Sequence, residues 1–258
     1  MKSLADKAGA ANFSAMVVVP VYNHGEAIAV MAERIRREQV PCLLVDDGSD
    51  ADCAAVLDEL AAAHPEQVRL LRLPVNQGKG GAVMAGLREA ARLGYSHALQ
   101  IDADGQHDPQ EIPAFLAEAR QHPDALITGC PIYDDSIPKG RLYGRYATHI
   151  WIWINTLSFD IRDSMCGYRV YPLARTIALI DSVNIGRRMD FDCEVLVRMH
   201  WRGVPIRTRQ TRVTYPIDGV SHFDLWRDNL RISRMHAKLF FGMLVRLPLI
   251  LANKWRRA

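Results

Sequence analysis

Cysteine pairing is missing from this chain: its five Cys are odd in number and none stands in a C-x-x-C spacing. That excludes a disulfide frame and a cysteine zinc site, and it fits reduced thiols in the cytosol. Residues 1–15 mix Lys2, Asp6 and Lys7 with Ala and Gly and hold no apolar core, so no secretory signal is read there. Internal repeats and low-complexity linkers are absent too. Basic residues do not interleave with aromatics, which argues against a nucleic-acid partner. The loop after the first apolar strand, residues 20–26, holds one Gly and no Lys or Arg. A nucleotidyltransferase would need a basic, glycine-rich loop at that point.

What is present is an ordinary globular composition, 49% hydrophobic and 24% charged over 258 residues. This is enough for one large α/β domain and short for two. Apolar strand patterns near 16–19, 42–45, 68–72, 99–101 and 126–128 alternate with helical patterns near 26–37, 52–64, 80–92 and 109–121. Such alternation predicts a Rossmann-like, mostly parallel sheet with helices on both faces. Ligands then belong at the carboxyl ends of the strands. From 131 to 145 the chain reads as a loop rich in Asp, Pro, Gly and Arg, followed by a helix-like aromatic stretch at 146–153. A loop beside the crevice suits an acceptor gate.

The run Leu99-Gln100-Ile101-Asp102-Ala103-Asp104-Gly105-Gln106 is an apolar strand that ends in carboxylates. Asp102, Asp104 and Gln106 offer hard oxygen ligands to one Mg²⁺ or Mn²⁺ shared with phosphate oxygens. The competing reading is an acidic turn in which Asp108 caps the helix opened by Pro109. Three further motifs accompany it: Val18-Val-Pro-Val-Tyr-Asn23, Val45-Asp-Asp-Gly-Ser49 and the glycine-rich Asn76-Gln-Gly-Lys-Gly-Gly-Ala82. The last opens a helix with free N–H groups and one Lys, a favourable place for anions.

With Asp163-Ser-Met-Cys-Gly-Tyr-Arg169, these motifs resemble, in order, the family-2 glycosyltransferases of GT-A fold. The branch most similar is that of the dolichyl-phosphate mannose and glucose synthases. The resemblance implies that Pro20 and Tyr22 line the nucleotide base pocket and that Asp47 hydrogen-bonds the base. It further implies that Lys79 lies beside the nucleotide, that Asp102 and Asp104 hold the sugar nucleotide and metal, and that Gln106 adds a ligand. Arg145 matches an acceptor-loop arginine. Asp46 is read instead as fixing the Gly48 turn.

Two departures bear on the acceptor. The branch's Arg after the fifth strand is replaced in Gly129-Cys130-Pro131, and its Arg-x-x-Gly-x-Ser-Lys pattern reads Pro216-Ile-Asp-Gly-Val-Ser-His222. Conversely, Asp192 in Asp-x-Glu-Val-Leu-x-Arg resembles the base of members that glycosylate hydroxyls. An alcohol needs a base and a phosphate does not. The expected activity is metal-dependent, inverting transfer from a UDP- or GDP-sugar to a lipid or lipid-linked acceptor, with a polyprenyl-phosphate hexose synthase as the alternative. A nucleotide-sugar-binding module is the non-enzyme reading.

The formal charge of +3 conceals an asymmetry. From 227 to 258 there are eight Lys/Arg and one Asp, a local +7, which leaves −4 on the rest. The domain is therefore read as 1–222 and a basic, apolar C-terminal helical segment as 223–258. Arg246 and Pro248 interrupt its apolar runs, which fall short of the roughly 20 residues needed to span a bilayer. It suits peripheral contact with an anionic membrane on the cytosolic face. The alternatives are packing on the domain or a homodimer contact.

Overall fold

The computed structural model describes residues 13–132, 139–213 and 224–255. Its sheet has seven strands: β1 (Ala15–Val21), β2 (Cys42–Asp46), β3 (Val68–Arg72), β4 (His97–Gln100), β5 (Leu126–Ile132), β6 (Arg169–Pro172) and β7 (Ile206–Arg212). The order is β3-β2-β1-β4-β6-β5-β7. All pairings are parallel except those of β6, which runs antiparallel to both β4 and β5. The helices are α1 (Gly25–Arg37), α2 (Ala51–Ala63), α3 (Lys79–Arg92), α4 (Ile112–Gln121, after a 3-10 turn at Pro109–Glu111), α5 (Lys139–Thr156), α6 (Leu173–Ser182), α7 (Phe191–Trp201) and α8 (Leu225–Trp255).

Strand alternation divides the core between the two faces. Met16 and Val18 of β1 join the side packed by α3, α6 and α7, while Val17 and Val19 join the side packed by α1, α2 and α4. Burial on both faces accounts for the near-continuous Val run, which a one-sided strand would interrupt with polar residues. Pro20 is tolerated in this central strand because β4 pairs only with Ala15–Val18, so no ladder bond on that side needs its missing N–H. The chain passes from β1 to β2 on one side and reaches β4 on the other. This topological switch leaves a crevice at their carboxyl ends.

Two expectations require correction. Every described residue of the loop expected at 131–145 is regular: β5 continues to Ile132 and α5 begins at Lys139, with 133–138 outside the described residues. The apolar tail was expected to be too short and interrupted to span a bilayer. Instead α8 runs unbroken through Arg246 and Pro248, and Trp226–Ala252 is long and apolar enough to cross a membrane by length and composition. Proline costs one hydrogen bond there, and Arg246 turns its guanidinium to the Gly242 carbonyl and the Trp201 ring. One stripe of α8, Ile232, Met235, Leu239, Met243 and Ile250, is buried against the domain.

Candidate active site

Each strand end contributes through its own local chemistry. After β2, Asp46 accepts from Ser49 N at 2.8 Å and from Arg72 Nε at 2.8 Å, closing the turn in which Gly48 holds φ +72°. That is the structural role expected of it. Asp47 is buried, and its two oxygens accept Gln77 N (2.7 Å) and Gly78 N (2.9 Å), so it braces the glycine-rich loop. Burial pushes its carboxyl up despite those donors. Tyr22 lies just past β1, partly exposed at the same edge.

The glycine-rich loop delivers Lys79 as the first residue of α3. Its ammonium stands 2.7 Å from Asp102 Oδ2 and 2.9 Å from Asp192 Oδ2. Burial pulls this ammonium down, but the two carboxylates outweigh it and hold Lys79 firmly protonated. Asp102 lies two residues past β4, and Gln100 donates to its second oxygen at 3.4 Å. Burial raises its carboxyl, yet Lys79 and His107 leave it below the ordinary range. Asp104 is pushed the other way, up to about 6, by burial and by the negative charge of Asp102. Its Oδ1 accepts Gln106 N at 3.0 Å, while the Gln106 side chain is partly exposed.

Among the described residues no cluster of three or more His, Cys, Asp or Glu forms a ready-made metal cage. Two strand-end carboxylates fit a cation shared with a ligand's phosphate oxygens. The charge conflict that lifts Asp104 is one a divalent cation would relieve.

Asp192 sits in the first turn of α7, whose residues from Phe191 to Met199 are all buried. On such a helix Asp192 and Glu194 point apart. Asp192 faces Lys79, and Glu194 accepts from Gly186 N (2.8 Å) and pairs with Arg198 (2.7 Å) and Lys238 (3.0 Å). The motif Asp163–Arg169 ends in an arginine whose role the spacing does not reveal. Arg169, fully buried on β6, donates to the carbonyls of Asp192 (2.7 Å) and Ser164 (2.8 Å), and its NH1 lies 3.6 Å from Asp192 Oδ1. It fixes the N-terminus of α7 and the carboxylate there. Also missed were His107, held near 4 chiefly by burial, and Arg187, whose carbonyl accepts Gly81 N at 2.8 Å.

Arg145 stands on α5. Its guanidinium grips Asp163 through two bonds of 2.6 and 2.7 Å, with His149 3.4 Å from the same carboxylate. The Asp163 carboxyl is held well below its usual range: His149 and Arg145 outweigh the effect of burial. The variant pattern at 216–222 lies outside the described residues.

The model of glycosyl transferase family 2 matches residues 16–181, which include every strand-end acid above and the glycine-rich loop. The chain belongs to this family. Polyprenol monophosphomannose synthase of Mycolicibacterium smegmatis is 32% identical over 173 residues, 60% of this chain and 60% of that protein. Undecaprenyl-phosphate mannosyltransferase of Micrococcus luteus is 31% identical over 176 residues, covering 64% and 69%. Dolichyl-phosphate beta-glucosyltransferase of Dictyostelium discoideum is 25% identical over 256 residues, 91% and 76%. The family-2 chain thus spans about three fifths of the first of these relatives.

Its fold is that of glucosyl-3-phosphoglycerate synthase from Mycobacterium tuberculosis, crystallised with Mn²⁺, UDP and phosphoglyceric acid. The TM-score is 0.65 at 18% identity, over 92% of this chain and 81% of that one. This family-2 member is a glycosyltransferase of GT-A fold.

Proposed function

We propose that this enzyme transfers a sugar, with inversion, from a UDP- or GDP-sugar to the hydroxyl of a lipid or lipid-linked acceptor at the cytosolic face of a membrane. The observation that carries the reading is the gathering of Lys79, Asp102 and Asp192 at the end of β4. One cation and a base-competent carboxylate stand where a donor diphosphate would enter. In the reaction the acceptor oxygen attacks the anomeric carbon and its proton passes to Asp192. The bond from that carbon to the diphosphate oxygen breaks, and the nucleoside diphosphate leaves with the electron pair.

Asp192 is the carboxylate assigned to take the proton; its Oδ2 faces Lys79, and its Oδ1 is buried 3.6 Å from the Arg169 guanidinium. Arg169 keeps that carboxylate in place, and Lys79 balances charge on the departing diphosphate. Asp102, Asp104 and Gln106 would hold Mg²⁺ or Mn²⁺, whose Lewis acidity supplies further neutralisation of the diphosphate when bound.

A second reading, transfer to a polyprenyl phosphate, is favoured by the names of the relatives. Against it stand Arg145 committed to Asp163 and the presence of a candidate base that an anionic acceptor does not require.

Membrane contact is supported by exposed apolar stripes on adjacent helices. Tyr146, Ile150, Trp151 and Ile154 lie on α5, and Phe241, Leu244, Val245 and Leu249 lie on α8. Trp151 bridges the two helices by packing on Phe240 and His236. Such a combined patch suits the headgroup boundary.

The decisive experiment is a thermal-shift screen of UDP- and GDP-sugars with and without Mn²⁺. The true donor raises the melting temperature by mass action and does so more strongly with the metal. No stabilisation by any nucleotide sugar would overturn the reading.

A further inference from the structure

Between α8 and the 184–190 segment lies a cleft of about 250 Å³. Its walls carry Arg231, Arg234 and Lys238 from α8, and Asp190 and Glu194 opposite them. The acids are largely spoken for. Glu194 pairs with Arg198 and Lys238, and Asp190 accepts Arg188 N at 3.1 Å. Lys238 is also tied to the Asn184 carbonyl at 2.9 Å, and Arg231 pairs with Asp228 at 2.8 Å. Arg234 is different: it is exposed and has no hydrogen bond or ion pair among the described residues. Cations thus outnumber carboxylates in the cleft, and one of them is free to take a ligand.

The position of the cleft identifies the ligand class. At 3.6 residues per turn, Arg231, Arg234 and Lys238 share one side of α8. That same side continues into Phe241, Val245 and Leu249, which are exposed and apolar. A helix whose apolar end lies in the acyl boundary holds its adjoining basic turns at headgroup level.

We propose that this cleft binds the phosphate headgroup of an acidic phospholipid, with Arg234 as the principal contact and Arg231 contributing its remaining N–H groups. The inference rests on the membrane-docking reading above and adds to it a specific anionic site, where the apolar stripe alone would accept any lipid.

The test is co-sedimentation of the full-length protein with phosphatidylcholine vesicles, with or without phosphatidylglycerol. Arg234→Glu is compared with Arg227→Glu, an equal charge change on the same helix outside the cleft lining. Wild type is expected to prefer the phosphatidylglycerol vesicles. Arg227→Glu should lose at most about 30-fold on these, the general effect of two charge steps worth about five-fold each near an acidic surface. Arg234→Glu should lose clearly more than Arg227→Glu, because the headgroup contact goes as well, and neither should lose anything on phosphatidylcholine. Equal losses for the two variants would mean general surface attraction and would overturn the headgroup site while leaving membrane docking in place.

Failure of wild type to bind either vesicle would overturn both. Inorganic phosphate supplies the remaining arm: stabilisation of wild type but not Arg234→Glu, without any vesicle preference, would assign the cleft to a free phosphate and overturn the lipid.

Discussion

Gly167 faces the carboxylate of Asp102 so closely that a Cβ at this position would collide with all three of its carboxyl atoms. The turn before β6 leaves room for the Asp102 carboxylate beside Lys79 only because residue 167 has no side chain. Gly167→Ala is expected to displace that carboxylate. Overpacking of this kind costs about 1–3 kcal/mol. Transfer should fall by more than about ten-fold, the effect of one 1.4 kcal/mol loss at the reacting centre, while the protein stays folded. Circular dichroism and transfer assays check this; normal turnover in a folded Gly167→Ala protein would contradict it.

Asp104 titrates at about 6 in the absence of a cation. Above that pH it is charged and able to ligate; below it the proton competes with the metal. Mn²⁺-supported donor binding is expected to weaken as pH falls through about 6, approaching ten-fold per further pH unit. Titration calorimetry with the nucleotide sugar measures the slope. Asp104→Asn should abolish transfer and the slope together, with the fold intact because this side chain is partly exposed.

The two acceptor chemistries separate at Asp192 and Arg145. If an alcohol is glycosylated, Asp192→Asn should lower the transfer rate by roughly 10²–10⁴ with donor affinity nearly unchanged. If a phosphate is the acceptor, that variant stays largely active and Arg145→Ala does the damage. Because Arg145 also pairs with buried Asp163, its variant needs a melting curve beside the kinetics. Near-normal transfer by Asp192→Asn would retire the base assignment.

Acid should loosen the junction of α5 and α8. His236 is buried there with Asn155 3.4 Å away, and burial holds its imidazole down at about 4 against an unfolded value of 6.5. The unfolded chain therefore binds the proton first, and stability falls as pH drops from about 6.5 towards 4. Near pH 5 the loss from this group is about 2 kcal/mol. His236→Leu should flatten that part of the melting-temperature profile; an unchanged slope would show that the drop arises elsewhere.

Much of this was legible in the sequence because it is written in local order. Strands buried on both faces must be runs of Val and Leu, and acids directly after them must emerge at the sheet's carboxyl edge. The cap at Asp108, which accepts Gln110 N at 3.0 Å, and the turn at Asp46 are equally local. The relations between distant segments were not legible. Nothing in the spacing around Gly167 announces that its missing side chain makes room for Asp102. The antiparallel course of β6 and the β5–β7 pairing arise from the sheet as a whole. The match of Arg145 to an acceptor-loop arginine gave no sign of Asp163, which tertiary packing sets against it. The sequence by itself determined where the strand-end acids emerge and the basic, apolar character of the tail. Only the tertiary structure decided that Lys79 stands between Asp102 and Asp192, and that α8 buries one stripe and exposes another. Periodicity specifies which residues share a face, whereas the surface that meets that face is determined by long-range packing.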